Sequence, residues 1–172
     1  MSKSNQVDEI IEQAIFRFWE NTPRIERCLN ELSEEGIWKK PNNSSNSVGN
    51  LILHLCGNIT QYIISSLGKK EDNRNRDKEF TTTSGYNKSE LLKKLTSTLD
   101  EAILTLKNLN EKDLLKVQSV QGFNYSGIGI IIHVVEHYSY HTGQITFWTK
   151  LLKDKDLGFY ANVDLNKKNK ID

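Results

Sequence analysis

Apolar residues recur along this chain with helical spacing in four stretches. Over residues 6–33 they fall at Ile11, Ala14, Ile15, Phe18, Ile25, Cys28, Leu29 and Leu32. That three-and-four spacing places one hydrophobic stripe along a helix. Pro23 interrupts it, and a proline there removes a backbone hydrogen bond and crowds the preceding turn. One helix kinked at Pro23, or two collinear pieces, is predicted. Residues 34–46, with Gly36, Pro41 and an Asn/Ser cluster, read as a loop. A second helix is predicted from Ser47, a good N-cap residue, to Leu67, where Gly68 stops it. A third runs from Asn87, supported as a cap by Glu90 three residues later, to about Asn108. Its stripe is Leu91, Leu92, Leu95, Leu99, Ala102, Ile103 and Leu106. Residues 114–125 alternate around Gln121-Gly122, the pattern of a short hairpin or an extended crossover. The fourth helix spans about 126–152.

The second and fourth helices differ from the other two. No Asp, Glu, Lys or Arg occurs between Ser47 and Leu67, and apolar positions cover well over half of the circumference, so that helix is buried. Its remaining polar residues, Asn50, His54, Asn58 and Gln61, share one narrow stripe. A stripe facing water ordinarily carries charge, so this one predicts an internal polar site. The fourth helix holds only Glu136 and Lys150 before its end. Two buried and two amphipathic helices make an all-α, antiparallel four-helix bundle the economical fold. It would occupy residues 1–160 as one domain, with a polar, Lys-rich tail over 161–172. Residues 69–80, Lys-Lys-Glu-Asp-Asn-Arg-Asn-Arg-Asp-Lys-Glu-Phe, read by composition as a solvated loop. Alternatively Arg74 and Arg76 fold over a pocket and pair with an anionic ligand.

Composition removes several function classes. Among 172 residues, 23 basic and 22 acidic side chains nearly cancel, which argues against an electrostatic nucleic-acid binder. No apolar run approaches the roughly 20 residues of a membrane span, and residues 1–8 lack the apolar core of a signal peptide. Cys28 and Cys56 each sit in an apolar helical pattern and read as reduced core thiols. A cytoplasmic protein acting on a small molecule is expected.

The chemistry concentrates in histidine. Three of the four histidines, His133, His137 and His141, lie four residues apart in the last helix, which stacks them on one face. At about 1.5 Å per residue, His133 and His141 are roughly 12 Å apart, too far to share one ion. A single site therefore uses His133 with His137, or His137 with His141, and His54 is the only other histidine. Three imidazoles leave a fourth tetrahedral position open, the catalytic rather than the structural arrangement. Tyr138, Ser139 and Tyr140 separate the last two histidines, so no general base is built into the motif. Glu136 points about 100° away from His137 and is a candidate for catalysis or for orienting a ligand.

His137-Tyr-Ser-Tyr-His141-Thr-Gly143-Gln144-Ile resembles the last-helix signature of the DinB/YfiT-like superfamily of metal-dependent four-helix-bundle proteins. Asn50-Leu-Ile-Leu-His54-Leu-Cys-Gly57-Asn58 resembles its second-helix motif, and Asn73-Arg74-Asn-Arg76-Asp77-Lys-Glu79-Phe80 is similar to a stretch in an uncharacterised bacterial branch. The resemblance implies a bundle, commonly dimeric, holding a divalent ion on His54, His137 and His141. Zinc or nickel is the expected metal. His133 would then pack one turn above the site, Gly143 would allow close helix approach, and Gln144 would line the pocket with Asn58. Relatives include S-transferases and isomerases that use low-molecular-weight thiols. The expectation is a thiol-dependent S-transferase or a hydrolase using metal-bound water, with Arg74 or Arg76 binding substrate and Glu136 or Gln144 as catalytic candidates. A non-catalytic, stress-related metal-binding or interaction protein of the same fold is the alternative.

Overall fold

The computed structural model describes residues 5–169. Helix α1 (Asn5–Glu31) passes through Pro23 without a break, so the two-piece alternative falls away. In the turn the proline crowds, Asn21 Nδ2 donates to the Arg17 carbonyl and Thr22 Oγ1 to that of Phe18. A 3₁₀ turn at Gly36–Trp38 buries Ile37 and leads to α2 (Val48–Ile59). Ser47 caps α2, and the Ser47 and Asn50 side chains satisfy each other's backbone N–H. The helix then widens into a π-helical segment over Thr60–Leu67, followed by Gly68.

The short helix α3 (Arg76–Thr81) comes next, capped by Asn75. Helix α4 (Lys88–Lys107) starts on a reciprocal Asn87–Glu90 cap. After α5 (Glu111–Leu115), strands β1 (Val117–Val120) and β2 (Phe123–Ser126) pair antiparallel, Val120 opposite Phe123. Gln121 and Gly122 take φ of 53° and 81°, the left-handed pair that a two-residue hairpin turn of the favoured twist requires. The hairpin, not a crossover, is what forms. Helix α6 (Gly127–Lys153) begins at the Ser126 cap.

The long helices form a ring: α1 packs on α4 and α6, and α2 packs on the same two. Phe18, Ile25, Ile52, Leu95, Val134 and Tyr138 are buried between them. The fold is thus an all-α helical bundle carrying one small hairpin. Phe18 meets the edge of Tyr138 at 5.4 Å, and the Tyr138 hydroxyl lies 2.8 Å from Thr22 Oγ1. Among the described residues no helix is long and apolar enough to cross a membrane.

Two expectations need correction. Residues 69–80 are not a wholly solvated loop: they enter α3, and both Glu79 and the Arg74 side chain are buried. An ion pair buried between elements carries the same composition as a surface run, because burial depends on a partner elsewhere in the chain. Gly143 is exposed, and nothing lies within 4 Å of where a Cβ would project; it brings no helix close within this chain. After α6, Leu157 returns to the core, while 161–169 are exposed. The last three residues of the expected tail lie outside the described residues.

Candidate metal centre

Helix geometry brings His54 and the α6 histidines together. α2 and α6 pack side by side, and each turns one uncharged stripe inward. The result is a cluster of His54, His137 and His141 with ligand-capable atoms all within 4.8 Å of one another. His54 and His141 are buried and His137 half-buried. No fourth His, Cys or carboxylate ligand joins the cluster among the described residues.

The proton on each imidazole follows from its outer partner. His54 Nδ1 lies 2.8 Å from Glu79 Oε2. Arg74 clamps the same carboxylate, Nε to Oε1 at 2.7 Å and Nη2 to Oε2 at 2.9 Å. Burial pushes the Glu79 carboxyl up, but hydrogen bonds from Arg74 and His54 and their charges outweigh it and hold the carboxyl below its usual range. Glu79 is therefore ionised, and His54 donates Nδ1–H to it. Arg74 Nη2, 3.1 Å from Nδ1, is then a second donor aimed at the same oxygen rather than a partner of the ring. His54 Nε2 is left as a lone pair facing the cluster, with His137 Nε2 at 2.8 Å. At the other end, His141 Nδ1 donates to Gln144 Oε1 at 2.7 Å, which also turns Nε2 into the free acceptor. Two of the three imidazoles are thus oriented by acceptors behind them, as metal-ligating histidines usually are.

The electrostatics suit a cation rather than a proton. Burial, reinforced by the neighbouring histidines and Arg74, lowers His137 to about 3. Burial also lowers His141, against the hydrogen bond to Gln144, to about 4. Neutral imidazole nitrogens converging beside one fixed carboxylate fit a divalent transition ion.

The other candidate residues sit around this core. His133 stands outside the cluster, stacked on Tyr62 at 4.4 Å and on His137 at 5.5 Å. Its Nε2 is 3.4 Å from Asn58 Nδ2, and Asn58 Oδ1 is buried with no protein partner. Phe80 covers His54 at 4.8 Å, and exposed Arg76 lies over Phe80 at 4.9 Å. Arg74 also donates Nη1 to Gln61 at 2.9 Å, so its guanidinium is spent inside the protein. Glu136 is exposed. Sequence reasoning missed Glu79. The available signal was Gly57, a glycine inside a buried helix, which marks a close approach by something else.

The helical bundle is shared with solved structures of DinB-like proteins. A DinB-like protein from Bacillus subtilis superimposes with a TM-score of 0.62 at 16% identity, over 81% of this chain and 91% of that one. Another from Bacillus cereus gives 0.65 at 16% identity, over 82% and 91%. A conserved protein from Enterococcus faecalis gives 0.66 at 16% identity, over 90% and 100%. The chain belongs to the family described as protein of unknown function DUF1572, whose model matches residues 5–162. No curated protein matches the sequence.

Proposed function

We propose that this protein is a divalent-metal-dependent enzyme built on His54, His137 and His141, acting as a thiol-dependent S-transferase or as a hydrolase. The supporting observation is the open cluster: three converging imidazoles, two of them held by acceptors behind the ring, and no fourth protein ligand among the described residues. A bound divalent ion, zinc or nickel, supplies Lewis acidity that makes a thiol or water available as its conjugate base near neutral pH. The chain's own residues do the rest. Glu79 and Gln144 hold two rings in place, Phe80 shields one side from water, and buried Asn58 offers an acceptor one turn from His54. Arg76, exposed over the Phe80 ring that covers His54 and with no carboxylate paired to it among the described residues, is the cation that on this reading meets a carboxylate of a thiol cofactor or substrate.

The reading includes a homodimer in the cytoplasm. Phe16 and Trp19 on α1, with Ile132, Tyr140, Phe147 and Leu151 on α6, are exposed on two helices that pack together. A second copy docking along these helices would cover them. Buried, unpaired Cys28 and Cys56 suit a reducing compartment.

Metal-loaded protein should bind one equivalent per chain and turn over an electrophile in the presence of a low-molecular-weight thiol. Product formed equally without thiol would transfer the assignment to hydrolysis. Absence of turnover with either, in fully loaded protein, would leave a metal-binding or interaction protein.

A further inference from the structure

The uncharged stripe of α2 serves one carboxylate. Asn50, His54, Gly57 and Gln61 follow one another at steps of four, three and four residues, one face of a helix. Every one of them meets the segment 72–82. Asn50 Nδ2 donates to the backbone carbonyls of Glu79 and Thr82 at 2.9 and 2.6 Å. His54 receives the carboxylate on Nδ1. At Gly57 a Cβ would fall on the Glu79 carboxylate and against Arg74 Nε. Gln61 accepts from Arg74 and donates to Asp72 at 2.8 Å. The Arg74 and Glu79 side chains are only 4% and 9% exposed. A charge pair packed into an apolar bundle is poor value as a stabiliser on its own, since desolvation offsets most of the attraction. The cradle therefore calls for a second purpose.

We infer that Glu79 is a positioning residue of the metal centre, acting through His54, and that Arg74 is its dedicated counter-ion. By accepting Nδ1–H it fixes the tautomer that turns Nε2 toward the ion and raises the electron density of that nitrogen. It also brings a carboxylate into the shell around three imidazole ligands. Arg74 holds the carboxylate in a fixed orientation through two hydrogen bonds, so both of its oxygens are committed before any ion arrives. The segment 72–82 is, on this account, a part of the centre delivered from outside the bundle ring.

The inference rests on the metal reading above, and the experiment separates the two. Zinc affinity of the full chain is measured by chelator competition for wild type, E79Q and R74M/E79Q. The double variant removes both charges together, so no buried charge is left unpaired if E79Q alone folds poorly. Both variants should bind about 10- to 100-fold more weakly. In metal-free protein, ¹⁵N-resolved spectra of His54 should show the single Nδ1–H tautomer in wild type and a mixture in both variants. Wild type that binds no zinc overturns the metal reading and this inference with it. Wild type that binds, with the folded double variant within about twofold of it or with an unchanged His54 tautomer, overturns this inference alone.

Discussion

Two regions contribute to the centre, and they are built in opposite ways. Helix α6 brings its histidines on a regular scaffold, where a four-residue step places ring above ring. The segment 72–82 brings Glu79 on a short helix and an irregular approach, held by side chains of α2 rather than by its own hydrogen-bond ladder. The first region owes its geometry to the backbone. The second owes it to a buried ion pair, and ion pairs are broken by single substitutions. Regularity makes the α6 ligands robust, and pairing makes Glu79 conditional.

The sharpest way to test that contrast is to remove ligands. His54→Ala or His141→Ala is expected to abolish stoichiometric metal binding, read by elemental analysis, while His133→Ala retains it. If His133→Ala lost the ion and His141→Ala kept it, the α6 side of the comparison would be misassigned. Next in size is Arg74→Ala, which leaves Glu79 buried without its counter-ion. A loss of about 3–5 kcal/mol is expected in denaturant unfolding of metal-free protein, whereas a loss below about 1 kcal/mol would show the segment to be loosely held.

The pH dependence separates the regions by window. His137 and His141 have folded values of about 3 and about 4 against 6.5 for the free side chain. Between these limits the unfolded chain binds more protons than the folded one, so stability falls as pH drops from 6.5 toward about 4. Glu79 is depressed from 4.5, so the stability it contributes is present above that value and is lost only in stronger acid. Denaturant midpoints measured at intervals should slope in both windows. His137→Gln/His141→Gln should flatten the upper slope and leave the lower one. The smallest expected effect is at Asn58. Replacing it with Leu removes a buried acceptor that has no protein partner and only a long, 3.4 Å contact from Nδ2 to His133, so metal-free stability should change by less than about 1 kcal/mol. A larger loss would mean that Asn58 supports the fold.

Where local chemistry decides structure, the sequence was readable. Ser47 and Asn87 cap the helices expected of them, the last helix starts where its spacing began, and Gln121-Gly122 turns the hairpin. The uncharged stripe of α2 faces inward, and His54 meets the α6 histidines. What stayed hidden depends on partners distant in sequence. Arg74 and Glu79 have the composition of a surface run, and only the space left by Gly57, 22 residues before Glu79, lets them pack inside. The π-helical widening at Thr60–Leu67 has no signature in hydrophobic spacing, because α and π turns differ by one residue in their hydrogen-bond step and eight residues are too few to tell the periods apart. Helices α3 and α5 are too short for a period to show.

The cluster also sets an order of events as the chain folds. The His54–Glu79 contact spans 25 residues, whereas the His54–His137 contact spans 83. Closing the longer loop costs about 1 kcal/mol more chain entropy than closing the shorter one. The second helix and its carboxylate can therefore assemble as a local unit, while the ligand cluster is complete only after α6 docks. An ion held there would act as a clip across about half of the chain. Its binding would report the last large step of folding and add stability in proportion to the logarithm of its free concentration.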